Sequence, residues 1–142
     1  MRKGAPLIVL LAVVALVAAP AFAADKPQTV CPVKGDNIDK AKSPHVDMQG
    51  QRIYFCCRRC ASKFKADPEK VFAKLAADGI TPENVQTADP VCGMKIDPAK
   101  SEAVSDYKGR RVHFCGDGCK QEFDKDPAKF LPKLEEQSAE KK

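Results

Sequence analysis

Histidine is scarce in this 142-residue sequence: there are two, His45 and His113, far apart in the chain. There is no clustered carboxylate pair, no glycine-rich phosphate loop, and no serine or cysteine nucleophile with a matched base. An acid–base centre would have to be assembled from Asp and Glu alone, so the chain is not expected to be an enzyme. Concentrated charge is also lacking. The 24 Lys and Arg and the 19 Asp and Glu are mixed along the chain, without the basic stripe that nucleic-acid binding needs. The pairs Arg58-Arg59 and Arg110-Arg111 read as solvated positions. A long apolar run occurs only at Leu7 to Ala19, shorter than the roughly 20 residues that span a bilayer. Preceded by Arg2 and Lys3 and followed by Ala21-Phe22-Ala23, it reads as a signal peptide over residues 1–23. Cleavage near Ala23/Ala24 would leave 119 residues of net charge +3, periplasmic or secreted, with no stable membrane insertion.

All seven cysteines lie beyond that leader. An oxidising compartment favours disulfides, but seven is odd, and the cysteines divide as three, three and one. Arg52-Ile53-Tyr54-Phe55-Cys56-Cys57-Arg58-Arg59-Cys60 leads on to Phe64 and Asp67-Pro68. Arg111-Val112-His113-Phe114-Cys115-Gly116-Asp117-Gly118-Cys119 leads on to Phe123 and Asp126-Pro127. The offset is 59 residues through this stretch, whereas pairing the upstream Cys31 with Cys92 gives 61. The spacings Cys-x24-Cys-x3-Cys and Cys-x22-Cys-x3-Cys thus read as an internal duplication with three thiols per copy.

Local signals predict the elements. Pro32 and Gly35 bend the chain after Cys31. Val46 to Phe55 reads as a hairpin turning at residues 47–51, with Ile53-Tyr54-Phe55 as good β-formers. A helix is expected from about Cys57 to Ala66, placing Cys60 and Phe64 on one face. Asp67, Pro68 and Glu69 are a cap, a first-position proline and a first-turn acid for a second helix that ends at Gly79. Residues 79–87 read as a linker or a single helical turn. The pattern then recurs, with Tyr107-Lys108-Gly109 at the hairpin turn and Asp126-Pro127 opening a last helix. Pro132 is expected to shorten or kink that helix, and residues 135–142 to form a disordered tail. The expected class is α+β: two small units, each a Cys knuckle, a β-hairpin and helices.

Both units resemble the YHS and TRASH group of heavy-metal-associated domains. The second does so through Asp89-Pro90-Val91-Cys92-Gly93-Met94, Tyr107-Lys108-Gly109, Phe114-Cys115, Cys119, Phe123 and Asp126-Pro127. The first opens differently, at Cys31-Pro32-Val33-Lys34-Gly35, then matches at Gly50, Tyr54-Phe55-Cys56, Cys60, Phe64 and Asp67-Pro68. The resemblance implies treble-clef-like units over residues 29–78 and 88–134. It also implies a role in handling copper, zinc or silver, with a metal-transporting ATPase or a copper protein as a partner.

Soft thiolates select Cu(I), Zn(II) or clusters over hard ions, and helix N-termini favour the thiolate form. The expected ligands are Cys31, Cys56 and Cys60 in one unit and Cys92, Cys115 and Cys119 in the other. Three thiolates suit Cu(I). Tetrahedral Zn(II) would need a fourth group, for which Cys57 and His113 are the candidates. Each also has a plainer reading: Cys57 as a packed spare thiol, and His113 as a solvent-facing strand residue. His45 reads as a surface loop residue, and Met48 and Met94 as core filler or thioether ligands. The leading expectation is an exported protein that buffers, delivers or confers resistance to a soft metal. The alternatives are a structural zinc module for protein–protein contact, since units of this size need a staple, and a thiol–disulfide redox protein.

Overall fold

The computed structural model describes residues 25–140; the expected signal peptide lies outside them. In chain order the elements are β1 (Lys26–Pro27), β2 (His45–Met48), β3 (Gln51–Tyr54), α1 (Arg58–Ala66), α2 (Pro68–Ala77), β4 (Ile80–Thr81), β5 (Glu83–Asn84), β6 (Ala103–Tyr107), β7 (Arg110–Phe114), α3 (Asp117–Lys125) and α4 (Pro127–Glu140). The mixed α+β class is as expected. Each half is a knuckle, an antiparallel hairpin (β2–β3 or β6–β7) and a pair of helices.

The hairpins close more tightly than expected. Each turns in two residues, Gln49-Gly50 and Lys108-Gly109, all with positive φ (51° and 76°; 48° and 79°). That is the turn geometry whose twist matches the strands it joins. Helix α2 starts as predicted: Asp67 accepts the N–H of Lys70 at 3.2 Å, and Pro68 takes the first position. Past its end Gly79 adopts φ 68°.

Each half has its own core. In the first, Ile53, Phe55, Phe64, Phe72 and Leu75 are fully buried, and Phe64 packs between Phe55 and Phe72 at ring separations of 5.4 and 5.6 Å. In the second, Phe123 sits between Phe114 (5.1 Å) and Phe130 (6.0 Å) over Val112 and Leu134. Burying such a ring contributes about 1.5–3 kcal/mol, so cores this small leave little margin.

The halves interlock. The tip of the second hairpin docks on α2, so that a Cβ on Gly109 would lie 2.4 Å from the Phe72 carbonyl oxygen. Arg110 is wholly buried there, its guanidinium 3.9 Å above the Phe72 ring and bonded to Glu69, Gln49 and the Lys108 carbonyl. It is therefore not the solvated residue expected. Reciprocally, the first hairpin tip docks on α4, where Gln49 N–H donates to Glu135 (3.1 Å) and Gly50 N–H to Ser138 Oγ (2.9 Å).

Two other stretches depart from expectation. Residues 79–87 are neither loose nor helical: β4 pairs in parallel with β1, and β5 pairs with β3. Residues 135–140, expected as tail, continue α4 through Pro132, with Leu134 and Ser138 buried. The contacts to the first hairpin hold the helix across a residue that has no N–H to give it.

Candidate metal centres

The first cysteine cluster is assembled from three places in the chain. Cys31 stands at the knuckle, where its carbonyl accepts the N–H of Gly35 (2.7 Å) and its own N–H donates to the Asp36 carbonyl (2.8 Å). Cys56 follows β3, and Cys60 lies in the first turn of α1. The three Sγ atoms lie within 4.8 Å of one another, with Cys56 and Cys60 at 3.7 Å. Cys31 and Cys60 are each 1% exposed, so this cluster is part of the hydrophobic core.

The second cluster holds Cys92, Cys115 and Cys119, with sulfur separations of 3.5 Å (Cys92–Cys115) and 3.6 Å (Cys115–Cys119). Cys92 and Cys115 are exposed. A fourth group, missed by sequence reasoning, completes it: the Asp89 carboxylate lies within 4.8 Å of the sulfurs.

Backbone hydrogen bonds correct the pairing of the two knuckles. Gly93 N–H donates to the Asp89 carbonyl (2.8 Å), and Asp89 N–H to the Met94 carbonyl (2.8 Å). The bridge between Val30 and Asn37 recurs between Ala88 and Lys95. The knuckle offset is thus 58 residues, and Asp89, not Cys92, is the counterpart of Cys31. Cys92 falls on the position of Lys34. The backbone N–H groups of Cys56, Lys34 and Val33 lie around the Cys31 thiol and favour its thiolate. The matching three donate hydrogen bonds to Asp89, from Val91 (2.7 Å), Cys92 (3.3 Å) and Cys115 (2.8 Å). The thiol in one half and the carboxylate in the other occupy one kind of amide cradle.

These cradles set the charge state. Burial pushes the Cys31 thiol up, but the three N–H groups outweigh it and hold it below the ordinary thiol value. Asp89 behaves alike: burial raises its carboxyl, and the backbone donors, Cys115 and Val91 first, bring it below the usual range. Cys56, Cys60 and Cys119 are held up, chiefly by burial and then by neighbouring sulfurs, and Cys115 chiefly by its hydrogen bond with Cys92. The group at the knuckle of each site thus gives up its proton more readily than an ordinary thiol or carboxyl does. The remaining thiols would release protons when a metal arrives.

The other candidates fall into place. Cys57 is the extended residue before α1, its Sγ 3.6 Å from that of Cys60 but outside the group of three. His113 is 9% exposed, not solvent-facing, and is absent from the second cluster. Alternation alone implied a wet face for β7, but on that face His113 is buried and Arg111 only partly exposed. Gln86 from the supposed linker caps this strand, accepting from His113 N–H (3.0 Å) and donating to its carbonyl (2.7 Å). Gln28 does the same to Tyr54 (3.0 and 2.7 Å). His45 opens β2 and is exposed. Met48 packs against the first core, whereas Met94 is 60% exposed and is not core filler.

The donor sets fit a soft ion. A tetrahedron with metal–sulfur bonds of about 2.3 Å has sulfur–sulfur edges of about 3.8 Å, close to the separations present. Comparison with known proteins agrees in kind. The YHS domain family model matches residues 87–133. A stretch of 43 residues is 37% identical to a copper-transporting P-type ATPase of Rhizobium leguminosarum bv. viciae. That stretch covers 30% of this chain and 5% of the ATPase. No solved structure matches significantly.

Proposed function

We propose that this chain is an exported soft-metal carrier, built of two tandem YHS/TRASH-type units, that buffers or delivers copper without chemical turnover. The observation that carries the reading is the convergence of Cys31, Cys56 and Cys60, from three separate segments, on one point with all sulfurs within 4.8 Å. The second cluster supports it, and so do the YHS match and the copper-transporting relative. The first unit would hold its ion with Cys31, Cys56 and Cys60, and the second with Cys92, Cys115 and Cys119. Exposed sulfurs at Cys92 and Cys115 favour exchange with an acceptor by ligand substitution, and a metal-transporting ATPase is the class of partner we infer. The periplasm or the exterior is the proposed location, from the leader-like N-terminus.

Burial of Cys31 and Cys60 in the core favours a second reading for the first centre alone, as a zinc staple for the fold. One experiment separates the two. The reduced chain is loaded anaerobically with Cu(I) or with Zn(II), its bound metal and alkylatable thiols are counted, and the metal is then withdrawn with a chelator selective for that ion. Carriage predicts about two soft ions per chain, slower alkylation at both clusters when loaded, and withdrawal without loss of the far-ultraviolet circular dichroism. Unfolding on withdrawal would assign the first centre to structure, and no uptake of soft metal would end the proposal.

A further inference from the structure

We infer that the two centres are built for different ions: the first, all thiolate, for a monovalent soft ion, and the second, with Asp89 as a fourth ligand beside Cys92, Cys115 and Cys119, for a divalent ion of the zinc type. This rests on the metal-binding reading above and narrows it: copper belongs to the first centre and a divalent ion to the second.

The inference starts from the shared cradle. The same three backbone N–H groups surround Cys31 Sγ in one half and the Asp89 carboxylate in the other. The exchange of sulfur for oxygen therefore happens inside a shared backbone geometry. Asp89 is 1% exposed. Burying a carboxylate is costly, and amide donors offset that cost only in part. Its Oδ2 accepts a single backbone bond, from Cys115. A carboxylate oxygen has room for a second partner, and the three sulfurs lie within 4.8 Å.

Ligand number and charge then point the same way. Three sulfurs plus one oxygen make the four donors of a tetrahedral zinc-type site, whereas Cu(I) prefers sulfur and gains little from oxygen. Three thiolates with a monovalent ion leave a net charge of −2, and so do three thiolates and a carboxylate with a divalent ion. A monovalent ion in the second centre would leave −3, in a partly desolvated site. Cys57, the one extra sulfur near the first centre, lies outside the group of three, and its counterpart is Gly116.

The test uses the full reduced chain, with Co(II) as the spectroscopic stand-in for Zn(II) and Cu(I) supplied from a competing chelator. The expected result is one tetrahedral Co(II) per chain, displaced by one Zn(II), that remains when one equivalent of Cu(I) is added. D89N should weaken Co(II) binding by at least about tenfold, the loss typical of a damaged metal site, and change the visible d–d bands while the first Cu(I) still binds. A control against disturbance of the knuckle by D89N is the converse double variant C31D/K34C, which places the Asp89, Cys92, Cys115 and Cys119 donor types at the first centre: it should lower Cu(I) affinity there and create a second Co(II) site. Equal affinity of both centres for Cu(I), with the D89N cobalt spectrum unchanged, overturns the division of labour but leaves metal carriage standing. Uptake of neither ion overturns both readings.

Discussion

His113 lies on β7 with its Nδ1 buried and without a hydrogen-bond partner. Burial, then the nearby charge of Arg111, lowers its pKa from the ordinary 6.5. The sign follows from proton counting. Below about pH 6.5 the unfolded chain protonates this ring while the folded chain does not, so the unfolded state binds more protons and stability rises with pH. Stability is therefore lost as pH falls from about 6.5 to the folded value, and the loss is constant below it. The expected outcome is a slope of unfolding free energy in that window for the metal-free protein, measured by urea titration at a series of pH values. The slope should be reduced in H113Y, which installs the residue found at the matching position 54. An unchanged slope would show that another group is responsible. The sequence could place His113 on a strand, but its burial depends on what lies over that strand.

At the scale of elements, the two glutamine side chains act as short pieces of strand. Gln28 and Gln86 each bond the N–H and the C=O of one strand residue, Tyr54 or His113, and donate in addition to Val30 or Ala88. Q86A would leave the N–H and C=O of His113 without these partners inside the protein. An unsatisfied buried group costs about 1–3 kcal/mol, so the expected loss is about 2–4 kcal/mol, read by denaturant unfolding. A loss below about 0.5 kcal/mol would mean that water replaces the amide without difficulty. No local pattern announces this device, because the partners are 26 or 27 residues apart and glutamine carries no turn or cap signal. The cap at Asp67, the two hairpins and the helices after the cysteines were legible, since each is decided by a few neighbouring residues.

The molecule as a whole is held by reciprocal docking of hairpin tips on helices. Gly109 and Gly35 make a controlled pair for testing this. Both have positive φ, 79° and 82°, but a Cβ at Gly35 meets nothing within 4 Å while one at Gly109 strikes the Phe72 carbonyl. G35A should therefore cost about 1–2 kcal/mol for the left-handed backbone alone. G109A should add about 1–3 kcal/mol for the forced separation of β7 from α2. Equal losses in the two variants would mean that the interface does not contribute to stability.

The sequence by itself determined the class of the fold, the position of each hairpin and helix, and the company of Cys56 with Cys60 and of Cys115 with Cys119. Those features depend on contacts a few residues apart and on turn chemistry. Only the tertiary structure decided that Asp89 stands where Cys31 stands. Knuckle register is set by backbone hydrogen bonds that ignore side-chain type, so matching cysteine to cysteine shifted it by three residues. Only the tertiary structure, likewise, buried Arg110 and His113 and carried α4 past Pro132. Each depends on a surface supplied by residues far away in the chain.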